Sequence, residues 1–323
     1  MALSPFQRWV VAVLLPLMAA GCTRNNSPPN SLAAGGESGK TQHSLRVVTT
    51  FLPMYLFTQA IAGDRAKVNI LIKPGTEVHE YQSTPADVQA IAQADVVVKN
   101  GLGLEAFLDN VVSGAENKNL KVIDASQGIA PLTEASPTGA AGTDSSKGSS
   151  AHSHTGSNPH VWLDPVLAKR QVENIRDGLI VADPANKAVY QTNASAYLQQ
   201  LSDLNTTFNQ RLKPYKDRTF ITFHDAFPYL AKRYQLKQLA VVSIPEDQLA
   251  PSDVQNTINT VKQFKVKTLF SEPGLDNKLL TALSKDLNVN VYPLDSLEGG
   301  ETTPQYYFTV MKKNLATLET AFK

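Results

Sequence analysis

Eight short runs rich in β-branched residues, four on each side of one long helical stretch, constrain the fold of this chain most tightly. The first four are RVVTT at 46–50, KVNILI at 67–72, DVVVKN at 95–100 and LKVIDA at 120–125. The second four are RTFITF at 218–223, LAVVSI at 239–244, VKTLFS at 266–271 and NVNVYP at 288–293. Helical segments separate them. Thr84 reads as an N-cap, Pro85 suits a first turn and Asp87 completes a capping box, with Val88, Ile91 and Ala92 as the apolar face. Beyond Pro165, another apolar face runs through Val166, Val172, Ile175, Leu179 and Ile180. Strands that alternate with helices pair in parallel through crossovers, so the expected class is α/β with two four-stranded parallel-sheet lobes.

Between the halves, Asp183-Pro184 punctuates the chain. Leu198, Leu201, Leu204, Phe208 and Leu212 then recur at helical spacing, which predicts one helix over 185–213. At 1.5 Å per residue it is about 40 Å long, more than a crossover needs. It reads as a rigid strut between an N-terminal lobe at 45–184 and a C-terminal lobe at 214–323.

The N-terminus reads as an address. Arg8 precedes an apolar run from Trp9 to Ala20 that stops at Gly21-Cys22. A positive segment, an apolar core and small residues mark a signal peptide over 1–21. The run is shorter than the about 20 residues that span a bilayer. Cys22 is the only cysteine, so no internal disulfide is available to it. The ending AAGC resembles a bacterial lipoprotein box, with Ala19 where Leu is usual, and implies acylation of Cys22. Residues 22–44 are rich in Gly, Pro, Ser and Asn and read as a flexible tether, with His43 solvated in it. Loss of the leader removes only Arg8 among charged residues and leaves basic and acidic residues balanced, which argues against nucleic acid as a partner.

A second polar tract follows the fourth strand. Residues 133–158 hold almost no large apolar side chain and read as a disordered loop. His152 and His154 lie in it as HSH and offer a second, weaker metal site.

Four residues carry the functional reading: His79 in GTEVHEY, His160 in NPHVWLDP, His224 in FITFHDAF and Asp295 in VYPLDS. Each falls just beyond a strand or at a loop-to-helix junction, on the carboxyl edge of its sheet, where open α/β sheets bind ligands. Two come from each half, so they converge if the sheets face each other across a cleft. Three imidazoles and one carboxylate suit a borderline ion such as zinc. Taken singly, such a histidine is more often a surface or capping residue than a ligand, and Asp295 could cap a turn through Ser296. Glu77 and Glu80 flank His79 and are read as solvent-facing, and Tyr81 and Trp162 as packing residues. Asp164 is read as a helix cap. Glu272, at another strand end, either supports a ligand histidine or caps a helix beginning near Leu275.

The segments ILIKPGTEVHEYQSTPADVQAIAQADVVVKNGLGLE, NPHVWLDP, ITFHDAFPYLAKRY, LFSEP and YPLDSL occur in this order. On them, the chain resembles the cluster A-I (cluster 9) solute-binding proteins of bacterial ABC transporters for zinc and manganese, over about residues 44–323. The resemblance implies a metal site in the cleft between the lobes, with His79, His160, His224 and Asp295 at the ligand positions. It also implies a monomeric protein outside the cytoplasm, in the periplasm or on the outer face of the plasma membrane. That protein delivers its ion to a permease and ATPase. Manganese-type relatives carry glutamate where this chain has His224, and a third imidazole favours zinc. Manganese or iron capture is the alternative within the family. From other classes, an exported zinc hydrolase would need an open coordination position and a base. Neither HExxH nor GxSxG occurs in the chain, so it is not expected to be an enzyme. A surface adhesin finds no repeats to support it.

Overall fold

In this computed structural model, residues 44–133, 156–242, 251–274 and 278–323 are described. The expected leader, Cys22, the tether to residue 43 and the histidines His43, His152 and His154 lie outside the described residues. So do the ends of two predicted segments, 243–244 and 275–277.

Four strands form the first sheet: β1 (Leu45–Thr49), β2 (Ala66–Ile70), β3 (Val96–Lys99) and β4 (Lys121–Asp124). They run parallel in the order β2-β1-β3-β4, with Val47 paired to both Val68 and Val96. β5 (Thr219–His224), β6 (Lys237–Val242), β7 (Thr268–Ser271) and β8 (Asn290–Pro293) form the second in the equivalent order β6-β5-β7-β8, also parallel. Val47, Val48, Val96, Val97 and Val98 are buried, as central strands covered on both faces require. In each sheet the crossover direction reverses between the two central strands, β1 and β3 or β5 and β7. That reversal opens a crevice at the carboxyl edge.

Helices α1 (Leu52–Ala62), α2 (Pro85–Gln93), α3 (Leu108–Gly114) and α4 (Pro165–Ala182) belong to the first half. The capping box at Thr84 and Asp87 is present, and α2 buries Ile91, while Ala92 faces solvent. On α4 the buried face holds Ala168, Gln171, Val172, Ile175 and Leu179, and Val166 and Ile180 sit at its margin. Gly178 lets α4 press onto β4, since a Cβ there would fall 2.4 Å from Ile123 Cδ1.

The connecting helix α5 (Lys187–Leu212) follows a short 3-10 turn at Pro184–Asn186. It buries Tyr190, Ala194, Tyr197, Leu201, Leu204, Phe208 and Leu212, one every three or four residues, against α1, α4 and the C-terminal helix α9 (Tyr306–Phe322). Each large apolar side chain contributes about 1.5–3 kcal/mol on burial, so the stripe fixes the helix to both halves. α6 (Pro228–Arg233), α7 (Pro251–Phe264) and α8 (Lys278–Leu287) complete the second half. The described residues cluster as a single compact unit.

Several contacts tie the halves together beside the crevice. Trp162 Nε1 donates to the Ser296 carbonyl at 2.8 Å, and Tyr307 Oη to the Trp162 carbonyl at 2.8 Å. Gly75 N donates to the Glu298 carbonyl at 3.1 Å. Arg233 Nε meets Asp164 Oδ2 at 2.8 Å, while Asp164 Oδ1 caps α4 by accepting from Val166 N.

Candidate metal centre

The loop after β2 delivers His79. Glu77 folds back so that its carboxylate accepts from Val78 N at 3.0 Å, which orients the peptide before His79. Glu77 is therefore part of the loop's own structure, whereas Glu80 is exposed. His160 caps the 3-10 turn Val161–Leu163, with Trp162 fully buried beneath it, ring centroids 5.1 Å apart. Tyr81 packs on Phe107 and donates to Asp87, and so takes the packing role expected of it. His224 is the last residue of β5, paired in register with Val242, and has no exposed surface.

The three imidazoles converge on one point. His160 Nε2 lies 3.3 Å from His79 Nε2 and 3.1 Å from His224 Nε2. Nitrogens bound tetrahedrally to zinc at about 2.0–2.1 Å stand about 3.3–3.4 Å from one another, so the spacing is already that of a zinc site. Glu298 completes the group: its carboxylate oxygen and the three imidazole nitrogens all lie within 4.8 Å of one another. Glu298 Oε1 is buried, accepts no hydrogen bond, and lies 3.9 Å from His160 Nε2.

Two outer partners fix the ring tautomers. His160 Nδ1 bonds Asn158 Oδ1 at 3.0 Å. Asn158 is itself oriented, because its Nδ2 donates to the Asp225 carbonyl at 2.6 Å, and Tyr229 Oη donates to its carbonyl at 2.6 Å. The ends of the predicted 133–158 loop are thus pinned, and Thr133 and Ser157 form a β-bridge. His224 Nδ1 meets the Glu272 carboxylate. Each Nδ1–H is then a donor and each Nε2 lone pair faces the centre, the arrangement of a metal-ligating histidine with its supporting acceptor. Glu272 takes the supporting role, one of the two expected for it.

Asp295 follows β8, as predicted, but does not join the group of four. Its Oδ1 accepts from Leu297 N at 2.8 Å, and Asn314 clamps its backbone with hydrogen bonds of 3.0 and 2.8 Å. It lines, with Glu77, Glu272 and Glu298, a cleft of about 310 Å³ beside the histidines. Glu298 was not singled out in the sequence. Its signal is an acid three residues beyond Asp295, after a backbone reversal at Leu297 (φ 66°) that turns the next side chain inward.

The electrostatics are those of a cation site. Burial, followed by repulsion from His224 and His79, holds His160 well below the usual imidazole range. Burial works to lower His224 too, but adjacent Glu272 outweighs it and carries the group up to about 9. Burial, with Glu77 and Glu272 nearby, pushes Glu298 up to about 8 against the opposing pull of His224. Burial also raises Asp295 and Glu77. A protonated His224 can donate to His160 Nε2, so a proton occupies the place a metal would take.

Residues 47–321 match the family described as zinc-uptake complex component A, periplasmic. The chain belongs to that family. The chain is 33% identical to the high-affinity zinc uptake system protein ZnuA of Bacillus subtilis, over 97% of this chain and 98% of that protein. It is also 33% identical to the zinc-binding lipoprotein AdcA of Streptococcus pneumoniae, over 89% of this chain but only 58% of the relative, which is much longer. The Zn(II)-bound ZnuA-like domain of pneumococcal AdcA superimposes with a TM-score of 0.71 at 32% identity, covering 86% of this chain and 99% of that one. The family is one of solute-binding transport proteins, and its fold is the two-lobed arrangement described above.

Proposed function

We propose that this protein captures Zn²⁺ outside the cytoplasm and passes it to an ABC-type importer built of a permease and an ATPase. The observation that carries the reading is the convergence of three Nε2 atoms at 3.1–3.3 Å. Nitrogen-rich coordination favours zinc over manganese or iron, which take more oxygen. The fourth ligand is a carboxylate from the loop after β8. Glu298 holds that place in the arrangement described, and Asp295, three residues away in the same cleft, is the other candidate. A site closed by a fourth protein ligand stores an ion rather than activating water, which supports capture over hydrolysis.

The address fits this role. Cleavage before Cys22 and its acylation would leave residues 22–44 as a tether, lobes at 45–184 and 214–323, and the strut at 185–213 between them. Among the described residues no helix is long and apolar enough to cross a membrane. The working form is a monomer, since both halves of the site come from one chain.

Metal content and zinc dissociation of His224→Ala against wild type test the reading. The expected result is one zinc per wild-type chain and a loss of affinity in the variant larger than the about 10–100-fold that loss of an outer-sphere partner costs. A wild-type protein that prefers manganese in direct competition, or a variant that binds zinc unchanged, overturns it.

A further inference from the structure

The loop Asn100–Glu105, sequence NGLGLE, contributes nothing to the group of four, yet it is the most constrained stretch beside it. Three consecutive residues lie in the left-handed region: Gly101 at φ 86°, Leu102 at 57° and Gly103 at 89°. A side chain at Gly101 would place Cβ 2.3 Å from an Asp124 carboxylate oxygen. Leu102 holds a conformation unfavourable to any residue with a Cβ. Its side chain packs against the cluster of Ile129, Val161 and Tyr229, next to the turn that His160 caps. Such a loop persists only where its surroundings over-determine it.

Glu105 supplies that constraint. It is buried, and its carboxylate accepts from Asn100 N at 2.6 Å, Gly101 N at 3.0 Å and Thr50 Oγ1 at 2.8 Å. Thr50 and Asn100 directly follow β1 and β3, the strands between which the first sheet reverses its crossovers. In the second sheet the equivalent place, at the ends of β5 and β7, holds His224 and Glu272. There the carboxylate bonds the ligand directly. In the first sheet it reaches a ligand through two intermediates. The Asn100 side chain donates from Nδ2 to the Pro159 carbonyl at 3.1 Å, and its Oδ1 accepts from Gln171 at 2.8 Å. The Pro159 carbonyl belongs to the peptide that joins His160.

We infer that Glu105 is a positioning residue of the metal site, acting through Asn100 and Pro159 to hold His160 where its Nε2 meets the other two. The inference rests on the zinc-capture reading. It specifies a carboxylate outside the cleft on which affinity and coordination geometry depend.

Three variants test it: Glu105→Gln, Glu105→Ala and Asn100→Ala. Zinc affinity is read by chelator competition, coordination geometry by the visible absorption of the Co(II)-loaded protein, and folding by thermal unfolding of the metal-free protein. The expected result is a fall in zinc affinity of about tenfold to 100-fold, as for outer-sphere partners of metal ligands. It comes with a weakened and shifted Co(II) spectrum, and Glu105→Gln loses least. A purely architectural Glu105 would lower the metal-free melting temperature and leave affinity and spectrum alone. Asn100→Ala keeps the backbone donors to Glu105, so it decides the matter even if both Glu105 variants unfold. A folded Asn100→Ala with the wild-type Co(II) spectrum and zinc affinity within about threefold of wild type overturns the inference. Wild-type protein that binds neither zinc nor cobalt overturns the capture reading itself, and this inference with it.

Discussion

Glu272 and His224 meet carboxylate to imidazole at the ends of β7 and β5, both buried, at the point where the second sheet reverses its crossovers. The carboxylate holds the ring's Nδ1–H and leaves Nε2 for the ion. It also stabilises a proton on that ring, so it strengthens both the ligand and the ligand's competitor. Glu272→Gln keeps an acceptor and removes the charge. At pH 10, above the His224 titration where the proton no longer competes, zinc affinity should fall by about tenfold or more. At pH 7 the loss should be smaller, because His224 gives up its proton more readily. Affinity that tracks wild type at both pH values would show that the contact plays no part in binding.

Proton release gives a second prediction. In the metal-free protein His224 titrates at about 9 and Glu298 at about 8. Both lie above neutrality, so at pH 7 both groups hold protons that an incoming ion must expel. Zinc affinity should therefore rise with pH, steeply up to pH 8 and more gently to pH 9, then level off. The slope below pH 8 should approach about two logarithmic units per pH unit. Calorimetric titration in buffers of different ionisation enthalpy counts the protons directly. Binding with no proton release at pH 7 would contradict the assignment of both groups.

The carboxylate ligand can be assigned by substitution. Glu298→Ala removes the oxygen that lies in the group of four and should weaken zinc by more than the about 10–100-fold that loss of an outer-sphere partner costs, whereas Asp295→Ala should cost less. Loss of Asp295 frees Leu297 N and loosens the loop, so its effect should appear mainly in thermal stability. A larger loss of affinity at Asp295 would mean that the loop presents Asp295 to the bound ion instead.

Much of this was legible in the sequence. The β-branched runs located every strand to within a few residues, because buried parallel strands tolerate little else. The convergence of His79, His160 and His224 was legible because the carboxyl edges of the two sheets face a common crevice, a consequence of topology rather than of neighbouring residues. Glu298 escaped because position along a strand says nothing about a side chain beyond a backbone reversal. Asp295 was the first carboxylate after β8, but only Leu297's left-handed turn brings the next acid inward. Gln171 escaped for a related reason. Apolar periodicity favoured Val166 and Ile180 for the inner face of α4, while burial of Gln171 depends on Asn100 and Ser126 at 2.8 and 3.2 Å, from strand ends far away in sequence.

The last prediction concerns motion. The strut α5 packs a continuous stripe from Tyr190 to Leu212 against helices of both halves, and bending it would expose several of those side chains at about 1.5–3 kcal/mol each. The halves are also joined beside the site by Trp162 to Ser296, Tyr307 to Trp162 and Gly75 to Glu298. A wide hinge would break all of these, so zinc should change loops rather than lobe separation. The segments free to respond are those that carry ligands beyond strand ends, 74–79 and 295–300. There Gly75 and Gly299 approach so closely that a Cβ at Gly299 would fall 3.2 Å from the Gly75 backbone. Small-angle scattering of metal-free and zinc-loaded protein should give superimposable curves. Hydrogen exchange should slow on zinc binding in those two loops and stay unchanged along α5. A contraction visible by scattering, or altered protection within α5, would show that the strut bends and that closure carries the signal to the transporter.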